Sequence, residues 1–152
     1  MIQSQQDAAE YYAVHYWDKM TDPERAYPSD SLLVSGVRKD DLEQKYANWI
    51  GVLDLVDLKT SEKAIKNLYD KALVCEKKDG ASNVFETFEE LADKYMYNVN
   101  SPMRNEEYYL HYAARLATYE GFSQEERSKF AHKAEGCALN RLGQKAADFR
   151  FA

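Results

Sequence analysis

The 152 residues carry 26 acidic and 20 basic side chains, which gives a formal net charge of −6 at pH 7. Six glycines and three prolines are too few for a turn-rich β-protein or a disordered linker, so the composition predicts one globular domain. The sequence lacks the basic stripe that nucleic-acid-binding proteins use, and we expect no nucleic-acid partner. A chain of this size buries roughly 70% of its unfolded surface, so its core needs no metal or disulfide.

Apolar residues at steps of three and four predict a first helix over about residues 5–20. Asp22-Pro23 ends it, because the residue before a proline avoids helical geometry. Proline and glycine punctuate the segment that follows. There we expect a helical turn at residues 23–27, and we expect the apolar residues 32–34 to pack against the core. No strand is predicted before residue 146.

A second helix is predicted over about residues 40–56 and a third over about residues 60–80, with Thr60 or Ser61 as the cap of the third. Each has an apolar stripe at helical spacing. The stripe of the second helix contains Leu42, Tyr46, Trp49, Ile50 and Leu53, and that of the third contains Ile65, Leu68, Ala72 and Cys75. Both helices therefore present one face to a common core.

Cap signals set the starts of the fourth and fifth helices. The fourth starts at Ser82 or Asn83, and Asn83 is spaced from Glu86 as in a capping box. For the fifth helix we predict Ser101 as the cap and Pro102 as the first helical residue, where a missing N–H costs nothing. Gly121 closes this helix.

The sixth helix opens with Ser123 and Glu126, a capping box, and we predict that it stops at Gly143. Residues 146–151 then read as the start of a strand. Short connections after the second helix favour antiparallel neighbours. The sequence thus predicts an all-α fold of about six helices, packed as antiparallel helical hairpins in a compact bundle.

Groups that could carry chemistry have simpler structural explanations. Glu107 and His111 lie four residues apart, which predicts an ordinary surface pair on one helix rather than a metal site. His15 is interpreted as packing at the edge of the core, with Asp18 as its candidate orienting partner. Cys75 and Cys137 lie outside any C-x-x-C motif, and a disulfide between them stays open. We expect no catalytic, cofactor-binding or metal-binding residue in this chain.

The start of the fifth helix supplies the candidates for an interaction site: Arg104, Asn105, Glu106, Tyr108 and His111. Arg104 in a first turn opposes the helix dipole, so we expect it to pair, with an acidic residue of the fourth helix as a candidate partner. Tyr108 lies off the apolar stripe of its helix. It suits either a recognition patch or core packing against the sixth helix, and the second reading is preferred.

Three stretches carry a resemblance to a known family: "HYWDKM" at 15–20, "YMYNVNSPMRNEEYY" at 95–109 and "LNRLGQKAADFRF" at 139–151. Together they resemble the helical domain of unknown function that precedes a thioredoxin-like domain in Gram-negative bacterial thiol–disulfide proteins. The stretch at 100–106 is the most specific. The end of the chain, residues 143–149, is similar to the G-x-x-A-P-D-F opening of thioredoxin-like domains, with Ala147 in place of the proline.

The resemblance implies a division into a helical domain at 1–142 and, at 143–152, a linker with the first residues of a thioredoxin-like domain. It implies export, as a periplasmic protein or a lipoprotein that touches the membrane only through its lipid anchor. The partners would be the thioredoxin-like domain and other envelope proteins. The predicted function is a non-catalytic module for protein interaction or substrate positioning. The alternative is a free-standing helical domain that binds peptide or glycan in a groove lined by tyrosines.

Overall fold

The structure, a computed structural model, describes residues 2–22, 33–34, 37–78 and 83–150, with the backbone alone at 2–3, 33 and 141–150. The described residues form six α-helices, and this confirms the predicted all-α fold. In chain order the elements are α1 (Ile2–His15), β1 (Leu33–Val34), β2 (Val37–Arg38), α2 (Lys39–Leu53), α3 (Leu58–Lys78), α4 (Val84–Leu91), a π-helical segment (Ala92–Tyr97), α5 (Glu106–Leu116) and α6 (Gln124–Arg150).

Aromatic side chains from α2, α4 and the turn after α1 form the centre of the core. Trp17 follows α1 and packs edge-to-face on Trp49 of α2 and on Phe88 of α4, with ring centroids 5.9 and 5.0 Å apart. The indole N–H of Trp49 donates to the carbonyl of Ala13 at 2.9 Å. Burial of large rings supplies much of the apolar area that stabilises a domain of this size. The predicted stripes of α2 and α3 are buried here, as expected.

The helix α3 packs against α1, α4 and α5, and so lies at the centre of the bundle. Its Tyr69 hydroxyl donates to the carbonyl of Phe88 at 2.7 Å and lies 3.0 Å from the hydroxyl of Tyr46. The long helix α6 packs on α5. The ring of Tyr112 meets Phe130, while Glu106 at the start of α5 meets Asn140 further along α6. The two helices therefore run antiparallel, as predicted.

Several local expectations were wrong. α1 ends at His15, and residues 16–21 form turns. Two short strands, β1 and β2, pair antiparallel, with Val34 opposite Val37, where no strand was predicted. Their shortness explains the miss, because two-residue strands show no alternating pattern. Val34 is fully buried, which confirms the expected packing against the core at this residue. The helical turn expected at residues 23–27 lies outside the described residues.

The cap predictions had mixed outcomes. Asp57 caps α3, where its carboxylate accepts from the Thr60 N–H at 2.7 Å, so neither Thr60 nor Ser61 is the cap. Asn83 precedes α4 without a capping bond from its side chain. Ser123 does cap α6, because its hydroxyl oxygen accepts from the Glu126 N–H at 3.2 Å. Near the start of α3 the sequence offers several residues that can cap a helix, and Asp57 is the one that does so.

The helix α6 passes through Gly143 and continues to Arg150, so the predicted stop is wrong and residues 146–150 are helical rather than extended. A glycine inside a helix costs about 1 kcal/mol relative to alanine, which neighbouring good helix formers can offset. Leucine, glutamine, lysine and two alanines surround Gly143. The assignment of residues 143–152 to a linker and a following domain stays a prediction.

Candidate interaction surface

The connection between the π-helical segment and α5, residues 98–105, is named the entry loop. Its backbone is held by short-range hydrogen bonds. The Asn98 side chain accepts from the Asn100 N–H at 2.8 Å. The Ser101 hydroxyl donates to the carbonyl of Tyr95 at 2.7 Å and accepts from the Met103 N–H at 3.1 Å. Ser101 therefore stabilises the loop and is not the cap of α5.

Asn105 is the residue that caps α5. Its side-chain oxygen accepts from the Tyr108 N–H at 3.0 Å, and its own N–H donates to the carbonyl of Met96 at 2.9 Å. Glu106 and Glu107 follow in the first turn, where negative charge favours the helix dipole. The predicted start of α5 at Pro102 is thus wrong by four residues. Residues 102–105 belong to the entry loop, where the Met103 N–H donates to the Ser101 hydroxyl and the Asn105 N–H to the carbonyl of Met96.

Glu106 joins the entry loop to α6. One carboxylate oxygen lies 2.5 Å from the guanidinium of Arg104, and the other accepts from the Asn140 amide at 2.8 Å. Arg104 also donates to the carbonyl of Tyr97 at 3.0 Å. The expectation that Arg104 is paired is confirmed, but its partner is Glu106 and not an acidic residue of α4. Sequence reasoning missed Asn140, because its contact spans 34 residues.

Tyr108 is buried, and its hydroxyl donates to the carboxylate of Asp54, just after α2, at 2.7 Å. Burial first, and then this hydrogen bond, raises the pKa of the Tyr108 hydroxyl. Tyr108 is therefore buried in the core as expected, but its hydroxyl bonds to the end of α2, and the predicted packing against the sixth helix stays a prediction. This hydrogen bond directs the Tyr108 hydroxyl towards the junction of α2 and α3.

His111 is mostly buried and lies between two carboxylates. Its ring nitrogens are 3.7 Å from Glu107 and 4.0 Å from Glu62 of α3. Glu107 and His111 are near each other as predicted, but the pair is mostly buried and not at the surface. Within the described residues, no group of three or more histidine, cysteine, aspartate or glutamate side chains is placed to hold a metal ion. Of the five sequence candidates, Arg104, Asn105 and Glu106 meet at the entry loop, and the other two face the α2–α3 side.

The outward side of α3 holds a shallow depression of about 450 Å³. Its lining residues are charged or carry an amide: Lys59, Glu62, Lys63, Lys66, Asn67 and Asp70. It is therefore unlike the tyrosine-lined groove that a peptide- or glycan-binding domain would use. The exposed Tyr11 and Tyr12 lie elsewhere, on α1.

Near α1, His15 is exposed rather than packed at the edge of the core. Its ring lies against Tyr11 and bonds to the Asp18 carboxylate at 2.7 Å, which confirms Asp18 as its partner. Lys71 of α3 donates to the same carboxylate at 2.6 Å. Partial burial raises the pKa of Asp18, but the hydrogen bonds from Lys71 and His15 outweigh that effect and lower it. The cluster ties the end of α1 to α3.

Three exposed apolar side chains lie on the entry loop and on α6. Val99 and Met103 belong to the loop and are 76% and 37% exposed, and Leu139 precedes Asn140 on α6 and is 66% exposed. Single exposed apolar residues are common and need no explanation.

The two cysteines are free and buried. The Cys75 thiol donates to the carbonyl of Thr21 at 3.4 Å, and burial raises its pKa. Burial likewise raises the pKa of Cys137 to about 11. Thiol–disulfide exchange needs an accessible thiolate, so neither cysteine has the properties of a redox-active residue.

A half-buried acidic group that the sequence did not reveal, formed by Glu89 and Asp93, lies where α4, the π-helical segment and α5 meet. The Tyr109 hydroxyl donates to the Asp93 carboxylate at 2.7 Å. Burial, followed by the charge of Asp93, raises the pKa of Glu89. π-Helical turns often mark functional positions, and this one brings Asp93 to Tyr109. The hydrogen bond from the Asn98 N–H to the carbonyl of Asp93, at 2.9 Å, closes the π-helical segment.

Comparison with known sequences gives the family. The profile of DUF5106, a domain of unknown function, matches residues 1–140. The chain belongs to the DUF5106 family. This confirms the resemblance to a helical domain of unknown function, while the Gram-negative lipoprotein context stays a prediction. No match was found among the curated proteins. Across the described residues, the DUF5106 chain has no helix that is both long and apolar enough to cross a membrane.

Among solved structures, the DUF5106 chain is similar to a thioredoxin-like protein from Bacteroides caccae. The TM-score is 0.66 and the sequence identity is 30% over 86% of the present chain. The match covers 42% of the Bacteroides caccae protein, so this chain spans less than half the length of that relative. The larger part of the relative has no counterpart among the residues compared.

Proposed function

We propose that this chain is a non-catalytic helical module that precedes a thioredoxin-like thiol–disulfide oxidoreductase domain. The similarity to the thioredoxin-like protein from Bacteroides caccae carries the proposal, because that protein is more than twice as long as the part that matches. In this proposal the module serves protein interaction or substrate positioning. Its place would be the cell envelope, in a periplasmic or lipid-anchored protein, with other envelope proteins as further partners.

The chemistry of the two cysteines supports the absence of a catalytic role. A redox-active thiol is exposed and has a lowered pKa, often at a helix N-terminus or beside a cation. Cys75 and Cys137 are buried and their pKa values are raised. Disulfide reduction by the longer protein would therefore depend on cysteines of the thioredoxin-like domain.

Substitution of both cysteines in the full-length protein tests whether disulfide reduction depends only on cysteines of the thioredoxin-like domain. The variants Cys75→Ala and Cys137→Ala, alone and combined, should leave the rate of disulfide reduction unchanged. A circular-dichroism melt of each variant separates lost folding from lost chemistry, because removal of a buried thiol costs some stability. A folded double variant that no longer reduces disulfides would overturn the proposal. So would a full-length sequence with no C-x-x-C in a thioredoxin-like domain.

A further inference from the structure

The depression on α3 is open to solvent and lies between two other helices. At one edge the Asn67 amide donates to the carbonyl of Val14 in α1 at 2.9 Å. At the other edge Glu62 lies 4.0 Å from the His111 ring of α5. At 100° per residue, Asn67 and Glu62 are about 140° apart around α3. The helices α1 and α5 therefore flank the depression, and α3 forms its floor.

Some of the charges in the depression are already compensated within the chain. Lys66 donates to the Glu62 carboxylate at 2.7 Å. Asp70 accepts a hydrogen bond from the guanidinium of Arg115. These side chains need no external partner of opposite charge.

Lys59 and Lys63 supply positive charge that is not paired. Both are exposed, and within the described residues neither forms an ion pair. Asp57 is near Lys59, but its carboxylate accepts from the Thr60 N–H. Residues four apart on a helix are neighbours, with Cβ atoms about 5–6 Å apart. The two ammonium groups therefore form one cationic spot, in a chain whose net charge is −6.

The spacing of the two lysines matches that of carboxylates in an extended peptide. Alternate side chains of an extended chain lie on the same side, about 6.6 Å apart at about 3.3 Å per residue. Two acidic residues with one residue between them can therefore reach Lys59 and Lys63 together. In the part of the chain that the structure describes, the Asn67 amide oxygen accepts no hydrogen bond, so it is available to an N–H of the peptide backbone.

The carboxylates in the depression distinguish a peptide from other anions. Glu62 and Asp70 lie in the same depression as the two lysines. Like charges that face each other across an interface are unfavourable, so a nucleic acid or a sulfated glycan, with continuous negative charge, would be repelled there. An acidic peptide carries its charges at separate positions and can place uncharged residues opposite Glu62 and Asp70.

We infer that the depression on α3 binds acidic, extended polypeptide segments, with Lys59 and Lys63 pairing with two carboxylates and Asn67 with the peptide backbone. The inference rests on the proposed function, because it names the class of partner for the interaction role. Exposed charges contribute to the rate and selectivity of association more than to affinity, and salt screens them. A weak, salt-dependent contact suits a module that presents protein substrates to a neighbouring domain and then releases them.

Fluorescence anisotropy of the full-length protein with a labelled peptide of alternating glutamate and serine tests the inference. The double variant Lys59→Glu/Lys63→Glu should weaken binding by about tenfold or more, because two attractions become repulsions. A rise from about 20 to about 200 mM NaCl should weaken binding severalfold. The matched double variant Lys39→Glu/Lys45→Glu makes the same change of charge at exposed lysines of α2, and its affinity should stay unchanged. Circular dichroism should show both double variants folded.

Carbodiimide cross-linking locates the contact, since it joins a carboxylate to a lysine amine that it touches. Cross-links to the peptide, identified by mass spectrometry, should fall mainly on Lys59 and Lys63. Cross-links spread over all exposed lysines, or equal affinities of the two double variants, would overturn the inference. Cross-links from Lys59 and Lys63 to a second copy of the chain would overturn it too. So would tighter binding of an oligothymidylate of equal charge, because the site would then be one for polyanions.

Reduction of protein substrates separates this inference from the proposed function. If removal of the helical domain slows that reduction in the full-length protein but the peptide does not bind at Lys59 and Lys63, the module stands and the α3 site is wrong. If removal changes nothing, the positioning role fails whatever the peptide does.

Discussion

Two tyrosines on α5 provide a test of the buried polar contacts, because the same substitution should have opposite effects at each. Tyr109 and Tyr112 are both fully buried. The Tyr109 hydroxyl donates to Asp93 at 2.7 Å. Within the described part of the chain, the Tyr112 hydroxyl has no hydrogen-bond partner. The change to phenylalanine removes the same oxygen at both positions and leaves the ring in place.

The expected magnitudes follow from what each hydroxyl gains in the folded state. A hydrogen bond to a charged group contributes about 1.5–3 kcal/mol, so Tyr109→Phe should lower the free energy of unfolding by about that amount. A buried hydroxyl without a partner costs about 1–3 kcal/mol in lost hydration. Tyr112→Phe should therefore raise the free energy of unfolding, by about 1 kcal/mol.

Urea unfolding at neutral pH, followed by circular dichroism, measures both changes against the unsubstituted protein. In thermal melts, 1 kcal/mol corresponds to a shift of about 2–4 °C for a domain of this size. An unchanged slope against urea shows that the native and unfolded states are otherwise comparable. If Tyr112→Phe destabilised the protein as much as Tyr109→Phe, the Tyr112 hydroxyl would have a partner and the reasoning would be refuted.

Three further predictions concern a helix start, a helix interior and the half-buried acid Glu89. Asn105→Ala should lower the free energy of unfolding by about 1 kcal/mol in urea titrations, because it removes the α5 cap; no change would mean that another residue caps the helix. Gly143→Ala should increase helicity and stability by up to about 1 kcal/mol, whereas a loss of stability would restore Gly143 as a left-handed stop. Burial raises the pKa of Glu89 in the folded state. Its favourable contribution is therefore complete below the ordinary glutamate pKa of about 4.3 and is lost as pH rises through the raised value. Glu89→Gln should flatten this part of the curve of stability against pH, and an unaltered curve would exclude Glu89 as its source.

The helices could be predicted from the sequence because each carries an apolar stripe that repeats with the helical period. Tyr46 and Trp49 on α2, and Ile65 and Leu68 on α3, are buried as that pattern requires. Helix ends were harder to predict. Ser101 and Gly143 have the chemistry of a cap and a stop, but the entry loop uses Ser101 for its own hydrogen bonds and α6 continues through Gly143.

Contacts between distant parts of the chain were the least predictable. The hydrogen bond from Tyr108 to Asp54 spans 54 residues, and neither side chain has a local pattern that indicates the other. The same holds for Glu106 and Asn140, although Glu106 itself was a sequence candidate. Both contacts depend on how the helices pack against one another in the folded protein. Residues 100–106 carry the most specific part of the resemblance, and Glu106 within them contacts Asn140; the role of this region in interaction stays a prediction.

The central claim is that this domain assists a thioredoxin-like neighbour without performing chemistry itself. The most direct measurement compares disulfide reduction by the full-length protein with that by a form lacking residues 1–150, a boundary that keeps α6 whole. Reduction of a small disulfide compound should proceed at the same rate in both forms, while reduction of protein substrates should slow or change in substrate range when the domain is removed. Loss of activity towards the small disulfide, with the remaining domain folded, would contradict the non-catalytic assignment. An unchanged rate and substrate range with protein substrates would contradict the positioning role.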